Sequence, residues 1–246
     1  MSLTLVFIAL ATFLSTYIGG LFSLRFKDKS HLIIGFSAGA VIGLAFFDLL
    51  PEAIEMGGEN IGLITLLVAV GFLVYMIVDR IFGTHSHGAL HEEHPHDKPH
   101  EHAHRGTIRA GSLSFHSFLD GIGIGLAFQV SNALGIVVAV AVLGHDFCDG
   151  INTVTAMIKN GATRKRALKW LLVDALAPVV GILVTLLFSV PEAKLGLILA
   201  LFCGFFLYMG ASDLVPESYH AHPTWKTTLM TIIGAGFLLL VISLAE

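Results

Sequence analysis

Residues 134–158 read LGIVVAVAVLGHDFCDGINTVTAMI, a run with no Lys or Arg that nevertheless carries His145, Asp146 and Asp149 in its middle. As a helix it rises about 37 Å, more than the roughly 30 Å of a bilayer's hydrocarbon core. Seven further stretches have the same character, near 3–24, 31–51, 61–82, 108–130, 167–189, 194–214 and 225–245. Between them stand turn residues, prolines or charges: Arg25 to Lys29, Pro51 to Asn60, a histidine-rich tract, Ser131–Asn132, Asn160 to Lys165, Pro191, and Pro216 to Pro223. The whole chain agrees with this reading, for its 246 residues are 55% hydrophobic and only 13% charged, and its mean hydropathy is +0.82. A soluble domain has about 25% charged residues. The expected fold is therefore all-α, a polytopic membrane protein of eight transmembrane helices forming a single domain over residues 1–246. Nucleic acid is excluded as a partner, since a net charge of -4 without a large basic block offers phosphate backbones nothing to hold. The two cysteines, Cys148 and Cys203, lie in apolar runs and make neither a disulfide framework nor a four-cysteine zinc site.

The first run lacks a basic leader and is too apolar over its length for a signal peptide, so it is expected to remain as a span. Basic residues set the orientation. Of the 14 Lys and Arg, all but Lys194 fall in the odd-to-even loops or at their edges. The positive-inside rule then places those loops in the cytoplasm and both termini outside, in a multi-pass cell-membrane protein. Asp48-Leu-Leu-Pro-Glu52 and Asp213-Leu-Val-Pro-Glu217 lie 165 residues and five helices apart. An odd offset turns one copy over relative to the other, which predicts an inverted repeat of helices 1–3 and 6–8 around helices 4 and 5.

A second repeat carries chemistry. His116-Ser-Phe-Leu-Asp120-Gly-Ile on helix 4 and His145-Asp-Phe-Cys-Asp149-Gly-Ile on helix 5 share the pattern His-x-Phe-x-Asp-Gly-Ile. His and Asp four apart face one way, one turn above the other. Counting in from the helix ends places all four near the bilayer midplane. Ser117, Asp146, Asn152 and Asp174 add polar atoms at similar depth. Four aspartates unpaired there are unfavourable by on the order of 10 kcal/mol, and no Lys or Arg shares their depth. Protonation, as in a proton relay, or a bound cation resolves the conflict. Two imidazoles beside carboxylates suit Zn²⁺, and also Fe²⁺ or Mn²⁺, better than Ca²⁺ or Mg²⁺. Gly121 and Gly125 form a small-xxx-small face for close helix packing, and Pro178 deprives the Asp174 carbonyl of its helical partner. Residues 85–104 hold eight of the 13 histidines among Glu92, Glu93, Asp97 and Glu101. Such a composition reads as a disordered, weakly metal-binding cytoplasmic loop spanning 84–106.

Taken together these features resemble the ZIP family of divalent metal transporters, over the whole chain. The family's helix 4 motif, His-Asn-x-x-Asp-Gly, is matched by His116 to Gly121, and its helix 5 motif, often His-Glu-x-Pro-His-Glu, by His145 to Gly150. The resemblance implies a two-metal centre. His116, Asp120, His145 and Asp149 would form the first site, while Ser117, Asp120, Asp146, Asp149 and Asp174 would line the second. Ser117 stands where the family has Asn, Asp149 where it has a second His, and Gly150 where it has a second Glu, departures that bear mainly on the second metal. The family further implies import toward the cytoplasm, homodimers, and helices 1, 4, 5 and 6 moving against a frame of 2, 3, 7 and 8.

The expected function is transport of Zn²⁺, with Fe²⁺, Mn²⁺ or Cd²⁺ tolerated, by alternating access at a midplane site, with no organic cofactor and no enzymatic activity. A cation-diffusion exporter also uses His-x-x-x-Asp faces, but resembles a six-helix protein with a soluble C-terminal domain. An intramembrane metal-dependent hydrolase would need the second His and the Glu base that His145 to Asp149 lacks. A sensor that binds metal without moving it shares the same residues.

Overall fold

The computed structural model describes residues 3–25, 30–57, 60–87, 99–220 and 224–245. Among these there is no strand. Eight helices among the described residues are long and apolar enough to cross a membrane: α1 (Leu3–Ser23), α2 (His31–Gly57), α3 (Ile61–Ile81), α4 (Gly106–Val130), α5 (Asn132–Lys159), α6 (Arg164–Thr185), α7 (Lys194–Tyr219) and α8 (Trp225–Ala245). The chain is an all-α polytopic membrane protein. α5 is the most buried of the eight, and α3 and α8 are the most exposed.

The connections follow from local chemistry. A single residue separates α4 from α5: Ser131 is extended, and its hydroxyl accepts from the Leu134 N–H at 3.0 Å to cap the new helix. After α5, Gly161 takes φ +78, which only glycine adopts freely. Its N–H donates to the Ile158 carbonyl and that of Ala162 to the Met157 carbonyl, both at 3.0 Å, closing the helix C-terminus. Thr163 then caps α6.

Two boundaries differ from expectation. Pro51 and Pro216 were expected to end their helices, yet α2 runs on to Gly57 and α7 to Tyr219. Each proline is preceded by a wide π-turn, Ala45–Leu49 in one case and Met209–Leu214 in the other. Proline breaks a regular helix through its missing N–H and a clash with the carbonyl four residues back. A π-turn widens the backbone and shifts bonding to the fifth residue, as in the Leu50 N–H to Ala45 carbonyl bond, so the helix continues. Both ends of the histidine-rich segment expected over 84–106 are helical. The helix of α3 extends to His87 and that of α4 begins at Pro99, the first-turn position proline tolerates. Residues 88–98 of that tract lie outside the described residues.

The helices pack as two groups, α1, α4, α5 and α6 in one and α2, α3, α7 and α8 in the other, meeting mainly where α2 faces α5 and α3 faces α4. Four of the contacts are close crossings of helix backbones: α1 with α5, α4 with α6, α2 with α8, and α3 with α7. Each is made by glycines from both partners. A Cβ on Gly121 would stand 2.1 Å from the Pro178 carbonyl oxygen, and one on Gly181 2.2 Å from that of Phe118. Gly19 and Gly150, Gly39 and Gly234, and Gly71 and Gly204 do the same at the other three. In a bilayer, where burying apolar surface between helices gains little over lipid, such close backbone approach is what holds helices together. Gly39 and Gly204 are separated by the same 165 residues as Asp48 and Asp213.

Gly39→Ala should therefore lower the thermal midpoint of the detergent-solubilised protein, reflecting a destabilisation of about 1–3 kcal/mol for an overpacked contact. Gly236→Ala meets nothing within 4 Å and should leave the midpoint unchanged or raise it. Equal midpoints for both variants would contradict the glycine-crossing account.

Candidate metal centre

α4 turns His116 and Asp120 inward, α5 does the same with His145 and Asp149, and all four side chains are buried. The carboxylate oxygen Oδ2 of Asp120 stands 3.1 Å from Nε2 of His116 and 3.2 Å from Nε2 of His145. Oδ2 of Asp149 lies 3.7 Å from the same His116 nitrogen. Each residue offers one ligand atom, and these atoms all fall within 4.8 Å of one another. Four ligands at zinc distances of about 2.0–2.2 Å form a tetrahedron with edges of about 3.3 Å. The cluster is close to that size, so small side-chain shifts are enough to seat a divalent ion.

Ring orientation favours the same use. The His145 Nδ1 group is 3.1 Å from the Ala141 carbonyl oxygen one turn back. A carbonyl only accepts, so Nδ1 carries the proton and donates. With Nδ1 protonated, Nε2 is the nitrogen left to face the cluster, 3.2 Å from Oδ2 of Asp120, and it is the atom that a metal-binding imidazole in this tautomer offers. His116 also points Nε2 into the cluster, and its Nδ1 is hydrogen-bonded to the hydroxyl of Tyr75 on α3.

The other three sequence-derived candidates divide. Ser117 donates to Oδ1 of Asp174 at 3.0 Å, and Thr153 donates to Oδ2 of the same carboxylate at 2.7 Å. Asp174 is thus held by two hydroxyls and stands beside the four-residue cluster. Asp146 is fully buried, and neither of its carboxylate oxygens has a hydrogen-bond partner; Oδ2 of Asp149 has none either. A buried, unpartnered carboxylate is among the least favourable groups a membrane interior can hold. Among the described residues, no Lys or Arg is buried to relieve it. Asn152, noted in the sequence for its depth, instead donates to Oε2 of Glu217 on α7 at 2.8 Å.

Two participants escaped the sequence reading. Thr153 lies four residues after Asp149, on the face already marked by the motif, and that spacing could have found it. Tyr75 sits in an apolar helix with no repeat or charge pattern around it, and nothing local says that it faces α4.

This arrangement can be compared with known proteins. A sequence model of the ZIP zinc transporter family matches residues 83–243, more than half of the chain. The chain belongs to the ZIP zinc transporter family. Among curated relatives, zinc transporter ZIP4 of Rattus norvegicus is 32% identical over 136 residues, covering 53% of this chain and 21% of that protein. Zinc transporter ZIP10 of Mus musculus is 31% identical over 106 residues, covering 43% of this chain and 13% of the relative. Zinc transporter zipt-7.2 of Caenorhabditis elegans is 27% identical over 138 residues, covering 53% and 30%. The match therefore spans less than a third of each of these longer relatives. The matched family region contains the whole of α4, α5 and α6, and so every candidate ligand.

Zinc should raise the thermal midpoint of the purified protein, by the equivalent of about 2.7 kcal/mol when zinc is a hundredfold above the dissociation constant. Most of that rise should vanish in Asp120→Asn and in His145→Ala. An undiminished rise in both variants would remove the four-residue cluster as the binding site.

Proposed function

We propose that this ZIP-family chain carries Zn²⁺ toward the cytoplasm by alternating access, with Fe²⁺, Mn²⁺ and Cd²⁺ tolerated. The ion is held at the bilayer midplane by His116, Asp120, His145 and Asp149. The single observation behind this reading is that the candidate ligand atoms of four buried residues converge with no Lys or Arg buried among the described residues. A divalent cation supplies the missing charge and matches the mixed imidazole and carboxylate donors. The relatives compared here are all named zinc transporters, which favours transport over hydrolysis or sensing.

Asp146, Asp174 and Ser117 line a second position beside the first, shared through Asp120 and Asp149. The bare oxygens of Asp146 support it, while the hydroxyls already bound to Asp174 make it the weaker of the two. The separate packing of α1, α4, α5 and α6 against α2, α3, α7 and α8 supports a movement of one group past the other. The matched crossings, α1 with α5 as α6 with α4 and α2 with α8 as α7 with α3, are the pairs that an inverted repeat of helices 1–3 and 6–8 produces. The distribution of Lys and Arg supports termini outside and a cytoplasmic histidine-rich segment at 84–106. The protein works as a homodimer within a single transmembrane domain.

Flux of Zn²⁺ into proteoliposomes tests this directly. Asp120→Ala and Asp149→Ala should abolish flux while leaving folded protein, whereas deletion of residues 85–104 should change apparent affinity more than maximal rate. Flux at the parent level in both aspartate variants would sink the site assignment, and loss of all flux on deletion would contradict a merely modulating role for the histidine-rich segment.

A further inference from the structure

The two candidate histidines are related by the repeated motif, yet they are anchored differently. His145 is tied through Nδ1 to the Ala141 carbonyl of its own helix, α5. His116 is tied through Nδ1 to the Tyr75 hydroxyl, across the boundary between the two helix groups, from α4 to α3. Tyr75 is itself fixed on its own side. Its ring packs at 5.6 Å from Phe205 and 5.5 Å from Tyr208 of α7, and Tyr208 donates to Oδ2 of Asp79 at 3.0 Å. A small cavity lined by Tyr75, Asp79, Ser112 and His116 lies on the side of this contact that leads to the α3–α4 connection.

We infer that Tyr75 is a positioning residue for metal binding, holding the His116 ring with Nε2 in the site only while α3 and α4 keep this register. The inference rests on the reading of His116 as a ligand. With Nε2 on a metal, Nδ1 carries the proton and donates to the Tyr75 oxygen, which fixes the ring plane. Groups that orient a ligating histidine in this way typically change metal affinity by about 10–100-fold. Sliding of α4 past α3 leaves the His145 anchor intact, because it travels with α5, but removes that of His116. One ligand is then released to rotate while three remain, and affinity differs between the two arrangements. An ion can bias a conformational equilibrium only through such a difference.

The test uses the full-length protein in detergent, titrated with Co²⁺ and followed by the strong visible absorption of four-coordinate cobalt. Tyr75→Phe keeps the ring and should weaken Co²⁺ binding about tenfold, with the thermal midpoint of the metal-free protein unchanged. In a His116→Ala background the same substitution should change affinity by less than about twofold, since a residue that acts through His116 has nothing left to orient. Parent-like binding in Tyr75→Phe, or an equal loss in both backgrounds, overturns the inference while leaving the site intact. Parent-like binding in His116→Ala overturns the ligand reading and the inference with it.

Discussion

Everything at the centre of this protein follows from the difficulty of keeping carboxylates away from water. A charged oxygen in an apolar interior must find donors or a cation, and the buried aspartates divide by which they find. Asp174 is supplied from within the protein, by the hydroxyls of Ser117 and Thr153. Asp146 and the Oδ2 atom of Asp149 have no hydrogen-bond partner, and Oδ2 of Asp120 has two imidazole nitrogens beside it. The hydroxyl-bound carboxylate has part of its demand for donors met by the protein itself. The bare ones mark where positive charge is required, and the missing charge is the physical content of a cation site.

The glycine crossings serve the same end. In each copy of the motif the glycine directly follows the aspartate: Gly121 after Asp120, Gly150 after Asp149. Consecutive residues on a helix point about 100° apart, given 3.6 residues per turn. The aspartate can therefore face the site while the glycine faces a neighbour. Gly121 admits the backbone of α6 at Pro178, and Gly150 admits that of α1 at Thr16. The same two-residue unit thus aims a carboxylate into the cluster and locks its helix against a support. The α6 segment that carries Asp174 is brought against α4 by this contact, which places the hydroxyl-bound carboxylate next to those of the cluster.

How much of this was legible in sequence depended on whether the controlling interaction was local. Membrane class, helix number and the four converging residues come from hydropathy and from spacings of four, which a helix turns into a shared face whatever surrounds it. Pro51 and Pro216 mislead a reading of the sequence because a proline's effect depends on the turn before it. Whether Ala45–Leu49 and Met209–Leu214 widen into π-turns is settled by packing between helices. The division of labour among the aspartates was equally hidden. Asp146 and Asp174 are both acids in apolar helices, and only the positions of Thr153 and Ser117 tell them apart. Tyr75 carried no signal, since a lone aromatic in an apolar helix more often faces lipid or core than a ligand.

Symmetry alone would make a poor carrier. Two identical half-sites, each a His and an Asp on one helix, would hold an ion equally well wherever their helices moved together, and α4 and α5 pack against one another in the same group. A site that travels intact has no reason to let go. What breaks the equivalence is the atom behind each imidazole: a carbonyl of the same helix for His145, a hydroxyl of the opposing group for His116. The first anchor is blind to the relative position of the two groups and the second reports it. In the proposed function the repeat gathers the ligands, and the exception to the repeat gives one of them a dependence on conformation, which is the property that distinguishes a transport site from a storage site.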